Sequence, residues 1–175
     1  MMQSHIKSIN KVAYLGVLLA FSLILSYLDS LLMFFSSIPG VKLGLANLSV
    51  IVCLYLIDYK YAFILSILKA VLSSLLFGSA FSMIYSLGGA FLSIFFMIIF
   101  YKINIIHIIT VSIIGGVFHN IGQLLVAIFI LKDTSILYYF PILMISGLLT
   151  GAILGFVASI VNPYIKKIIS IGGNL

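Results

Sequence analysis

The chain has 175 residues, 64% of them hydrophobic and only 7% charged, with no Arg, Glu or Trp. A soluble domain carries roughly a quarter charged residues, so this composition excludes a compact soluble enzyme, which could not hide so much apolar surface. The net charge of +6 comes from lysines scattered along the chain rather than gathered on one face, which excludes a nucleic-acid surface.

A membrane-spanning helix needs about 20 mostly apolar residues, so six would occupy roughly 120 positions. The expected fold is all-α: a polytopic membrane protein with a single integral-membrane domain over residues 1–175. Charge, Pro and Gly divide it into spans at about 12–35, 43–57, 61–77, 82–101, 105–131 and 139–161. The first begins after Lys7 and Lys11, as a signal peptide would. It runs on to Phe35 without a small-x-small cleavage site, so it reads as a retained helix. The second and third are short and need loop residues, a thinned bilayer or little tilt. The first and fifth are long enough to tilt. Cys53 is the sole cysteine, which leaves no disulfide framework or thiolate metal site within one chain.

Lysine counting sets the orientation. With the N-terminus inside, Lys7, Lys11, Lys60, Lys102, Lys166 and Lys167 are cytoplasmic, and only Lys42 and Lys132 lie outside. Both termini are therefore expected in the cytoplasm, with the chain in the cell membrane. Tyr59, Tyr61, Tyr101 and Tyr164 at inner ends, and Tyr138 and Tyr139 at an outer end, supply the interfacial belt.

Small residues give three stripes. Gly147, Gly151 and Gly155 recur every fourth position in the sixth span and form a groove for close helix packing. Ser82, Ser86, Gly89 and Ser93 form another on the fourth. Ala13, Gly16 and Ala20 line the inner half of the first, either as packing or as an outward docking surface.

Ionisable groups within spans are costly and face a partner or cavity. Asp29 lies in the outer third of the first span. Lys69 sits eight residues into the third, about 12 Å deep. It is either a buried partner of Asp29 or of carbonyls, or an anion-binding group. His119, Asn120 and Gln123, in the run HNIGQ, project three hydrogen-bonding side chains over one turn of the fifth span. Gly115, Gly116 and Gly122 leave room beside them. His107, near the inner interface, reads as ordinary. Pro39-Gly40 marks an outer turn, after which Lys42 and Asn47 place a cation and an amide at the outer mouth.

PGVKLGLAN at 39–47, LKAVLSSLLFGSAFSMIYSLGGAFLS at 68–93 and HNIGQ at 119–123 together resemble the Gx transporter family, whose sequences also carry the label heptaprenyl diphosphate synthase component I. That family resembles the substrate-binding S components of energy-coupling factor (ECF) transporters. The resemblance implies a ligand pocket lined by Asp29, Lys42, Asn47, Lys69, His119, Asn120 and Gln123, entered over the 39–47 loop. It implies docking to a membrane coupling protein through Ala13, Gly16 and Ala20, and ATP hydrolysis by two partner ATPases. Asp29 stands where Glu is common in the family, and Lys69 where Arg is common; Lys lacks the planar fork of Arg. The ligand is expected to be a small solute such as a vitamin or flavin-like molecule. No cofactor is expected on this chain, and ATP hydrolysis is left to the partners because no G-x-x-x-x-G-K-[ST] loop occurs here.

The alternative is a membrane partner of a heptaprenyl or other polyprenyl diphosphate synthase. Chain elongation holds magnesium on a diphosphate through clustered carboxylates. Asp29, Asp58 and Asp133 are isolated, so neither reading makes this chain catalytic by itself.

Overall fold

The computed structural model describes residues 2–35, 44–103 and 106–172, with side chains over 11–31, 44–103 and 106–167. The expected turn at Pro39-Gly40 and Lys42 lie outside the described residues. Six α-helices follow one another: α1 (Met2–Phe35), α2 (Asn47–Leu56), α3 (Tyr59–Phe77), α4 (Ala80–Lys102), α5 (Ile108–Leu131) and α6 (Phe140–Gly172), with a 3₁₀ turn at Thr134–Tyr139 before α6. No strand occurs among the described residues.

Five of the six helices are long and apolar enough to cross a membrane, and α2 is not. The sequence marks a second span over 43–57, yet the helix begins only at Asn47. Gly44 adopts the left-handed conformation (φ +67°), and the Asn47 N–H donates back to its carbonyl at 2.8 Å. That turn uses up the residues the span would have borrowed. Ten residues rise about 15 Å, half a hydrocarbon core. A half-length helix is tolerated in a bilayer only when protein surrounds it, and Ser49 through Leu54 are all buried.

Local chemistry sets the remaining ends. Ser79 caps α4, accepting from the Ser82 N–H at 3.2 Å, so α4 starts two residues before the span read from hydropathy. His107 Nδ1 accepts from the Ile109 N–H at 3.4 Å and caps α5, which gives this histidine a structural task that its position in sequence does not advertise. Lys132 closes α5 in a left-handed conformation (φ 51°). Beyond Val161, where the span read from the sequence ends, α6 continues through Pro163 to Gly172. Proline removes one N–H, and a membrane helix absorbs that loss where neighbouring groups satisfy the freed carbonyl.

The helices pack as α4, α5 and α6 in series, with α3 on α4, α1 on α2 and α3, and α2 touching α1, α3, α5 and α6. Lipid supplies no hydrophobic drive between helices, so small residues and interhelical hydrogen bonds hold such a bundle. A Cβ on Gly147 would stand 2.9 Å from the Gly116 carbonyl oxygen, and one on Gly151 2.6 Å from Ile113 Cα. A Cβ on Gly155 would meet Ile109 Cα at 2.7 Å. The three glycines thus let α6 lie backbone to backbone on α5. Ser112 Oγ donates to the Gly151 carbonyl at 2.6 Å and Ser93 Oγ to the Gly115 carbonyl at 2.8 Å. These two bonds lock α6 to α5 and α5 to α4.

The first helix is different. Only 11% of its membrane window is buried, against 28–33% in the other long helices. Ala13, Gly16 and Ala20 are all exposed, and a Cβ added at Gly16 would meet nothing within 4 Å. Their stripe faces away from the bundle.

Tertiary contacts gather the lysine-bearing helix ends together. Lys102 Nζ lies 4.7 Å from the centre of the Tyr59 ring and Lys11 Nζ 5.8 Å from that of Tyr61. Tyr55 meets Tyr101 edge-on at 4.9 Å. At this end α2 fills the centre, and its Val50, Ile51, Val52, Cys53 and Leu54 form a core with Leu65, Ile94, Met97 and Val111. At the opposite end α2 has stopped, and the bundle is hollow.

A polar cavity above the short helix

The hollow is a cavity of about 660 Å³, within the range of small-molecule sites. Five helices and the turn before α2 wall it. From α1 come Ser26, Tyr27, Asp29, Ser30 and Leu31; from the turn and the start of α2, Gly44, Ala46 and Asn47. The end of α3 contributes Lys69, Ala70, Ser73, Ser74 and Phe77, and α4 contributes Ser82 and Ser86. His119 and Gln123 reach in from α5.

Each polar wall residue is placed by a local rule. Residues 119 and 123 are one helical turn apart and share a face, which α5 turns toward the cavity. Gly89 on α4 allows that: a Cβ there would stand 2.8 Å from Gln123 Cγ and 2.9 Å from the His119 carbonyl oxygen. Gln123 is 2% exposed, and its Nε2 has no hydrogen-bond partner. Lys69, 6% exposed, donates from Nζ to Asn47 Oδ1 at 2.5 Å. That bond joins the deep end of the α3 wall to the start of α2. Asp29 is buried at 7% exposure, two residues along α1 from Tyr27, whose ring meets that of Phe77 at 5.4 Å.

Of the seven residues singled out as ligand contacts, Asp29, Asn47, Lys69, His119 and Gln123 therefore line one space. Asn120 does not join them. It lies about 100° around the helix from His119, and its Nδ2 donates to the Leu143 carbonyl at 2.6 Å. This side chain cross-links α5 to α6 and borders a second, water-sized pocket of about 20 Å³. Lys42 lies outside the described residues. The Ser82–Ser93 stripe divides: Ser82 and Ser86 face the cavity, whereas Gly89 and Ser93 pack on α5.

Sequence reasoning passed over Ser26, Ser30, Ser73 and Ser74. A signal was present, since Ser22, Ser26 and Ser30 repeat every fourth residue beside Asp29. Serine is common at plain helix contacts in membranes, so the repeat alone does not separate a packing face from a cavity wall. Ser30 Oγ donates to the Tyr27 carbonyl at 2.7 Å and Ser73 Oγ to the Ala70 carbonyl at 3.5 Å. Their remaining capacity toward the cavity is as acceptors. Among the described residues no three His, Cys, Asp or Glu side chains come together as a metal site.

The fold and cavity define a multi-pass helical membrane protein with a polar chamber at one end of its bundle. A family model described as heptaprenyl diphosphate synthase component I matches residues 18–161, and the chain belongs to that family. No curated protein and no solved structure matches it. The match agrees with one of the two labels that the sequence motifs suggest. It does not speak to transport.

Proposed function

We propose that this chain is a non-catalytic membrane subunit that captures a small solute in the chamber above α2, in the manner of an ECF-type S component. The observation that carries this is the chamber itself. A chain that is 64% hydrophobic commits Asp29, Lys69, Gln123 and a row of serines to one 660 Å³ space, although polar groups at membrane depth are costly. Packing alone needs no such hollow. The chamber opens at the end away from Lys11, Lys60, Lys102, Lys166 and Lys167, which by the positive-inside rule is the outer side. In this proposal both termini are cytoplasmic and the exposed Ala13, Gly16 and Ala20 stripe meets a coupling protein that works with two ATPases.

The family description favours a second role more directly than it favours uptake: membrane partner of a polyprenyl diphosphate synthase. Such a partner would likewise be non-catalytic by itself, because Asp29, Asp58 and Asp133 are too dispersed to hold magnesium on a diphosphate.

One experiment separates the two. The tagged full-length chain is purified from its native membrane in mild detergent, and co-purifying proteins and small molecules are identified by mass spectrometry. A coupling protein, two ATPases and a bound solute are expected, with the solute lost in Lys69→Met. Recovery of a soluble prenyl synthase with no solute would overturn uptake and establish the partner role.

A further inference from the structure

The chamber has a chemical polarity that bears on the kind of molecule it can hold. Its deep end, where α3 meets the start of α2, carries the donors of Lys69 and Asn47, with His119 and Gln123 facing the chamber from α5. Lys69 has only N–H groups, so the amide of Asn47 must turn its oxygen to Nζ, which leaves Asn47 Nδ2 directed away. Gln123 Nε2 is a second amide donor, on a side chain 2% exposed, and it has no hydrogen-bond partner. A buried donor without an acceptor costs about 1–3 kcal/mol, a penalty that an arriving acceptor removes. The α2 helix starts at the same place and directs the positive end of its dipole there, although its first two N–H groups already bond to the Gly44 and Leu45 carbonyls. The α1 wall differs: beside the Ser26 and Tyr27 hydroxyls it carries the acceptor Asp29, and Ser30 has spent its proton on the Tyr27 carbonyl.

Given the solute-binding role, on which this rests, we infer that the ligand carries a carboxylate or phosphate-type oxyanion and that this group seats at the deep end, between Lys69 Nζ, Asn47 Nδ2 and Gln123 Nε2. The less polar rim of Tyr27, Leu31 and Phe77 then receives the rest of the molecule. Asp29 opposes an anion by charge and keeps the oxyanion away from the α1 wall.

The test uses the purified full chain and methylphosphonate as probe, followed by saturation-transfer NMR of its methyl protons, with tetramethylammonium as the cationic counterpart. Methylphosphonate is expected to bind saturably. Lys69→Met and Gln123→Leu should each weaken it on the order of tenfold to a hundredfold, the usual effect of losing a hydrogen bond to a charged group. Gln123→Glu keeps the shape but replaces the donor, and must weaken it as well should Gln123→Leu fail to fold. Asp29→Asn should tighten binding. Binding of tetramethylammonium that collapses in Asp29→Asn, or methylphosphonate binding indifferent to both deep-end substitutions, overturns the inference. A neutral or cationic native solute lost in Lys69→Met would leave solute capture standing and sink the oxyanion alone. If neither a native solute nor either probe occupies the chamber, both fail.

Discussion

Two glycines in helices of this chain should respond in opposite directions to the same substitution. At Gly116 an added methyl group would strike the Gly147 carbonyl oxygen and stand 3.4 Å from Gly151 Cα. Both obstacles are backbone and cannot rotate away, so α5 and α6 must separate by about 1 Å to restore ordinary contact distances near 3.5 Å. Overpacking of this kind costs about 1–3 kcal/mol. The separation also stretches the Ser112 Oγ bond to the Gly151 carbonyl, now 2.6 Å, worth about 0.5–1.5 kcal/mol. Alanine returns up to about 1 kcal/mol of helix propensity. The net expectation for Gly116→Ala is a loss of about 1–3 kcal/mol. At Gly16 nothing lies within 4 Å, so Gly16→Ala should gain about 0.5–1 kcal/mol. Reversible unfolding by denaturing detergent, followed by circular dichroism, measures both. Equal stabilisation of the two variants would refute the close approach of α5 to α6, and a destabilised Gly16→Ala would refute the open face of α1.

Three further outcomes are expected. Asn120→Ala removes the bond to the Leu143 carbonyl and should cost about 1–2 kcal/mol in the same assay while leaving solute affinity unchanged; loss of binding in a folded variant would return Asn120 to the chamber. Replacing Ala13, Gly16 and Ala20 with Leu should release any coupling protein on purification while solute binding persists, and a complex that survives would mean docking occurs elsewhere. At the other end of the molecule, the Ser135 N–H donates to Asp133 Oδ1 at 2.8 Å and holds that carboxyl below its ordinary value near 3.8. A lowered folded-state pKa gives stability that is present above the ordinary value and lost as pH falls through the lower one. Asp133→Ala should therefore be less stable than the parent at neutral pH and match it in strong acid; a gap that widens in acid would contradict this bond.

Much of the architecture is legible in the sequence because the bilayer enforces it. Backbone groups in hydrocarbon must bond internally, so long apolar runs become helices, and the runs at 61–77, 82–101 and 105–131 coincide with α3, α4 and α5 to within a few residues. The polar residues Asp29, Lys69, His119 and Gln123 stand out for the same reason, since each is expensive in lipid and so must be sheltered. Where the structure departs from the sequence pattern, the causes are equally local. Asn120 looked like its neighbours in HNIGQ, but a helix turns about 100° per residue, and only the packing of α6 decides what that third face meets. Hydropathy starts the second span at residue 43, but the left-handed turn at Gly44 delays the helix to Asn47.

The sequence by itself determined that this is a multi-helix membrane protein with buried polar groups, because composition and hydropathy answer to the solvent and not to neighbours. Only the tertiary structure decided that two stripes with near-identical spacing differ, with Gly147, Gly151 and Gly155 closed against α5 and Ala13, Gly16 and Ala20 open to the surroundings. It also decided that α2 stops halfway and leaves a chamber above it. Periodicity places residues on a face of a helix; which face another helix covers, and where none does, depends on how all six pack together.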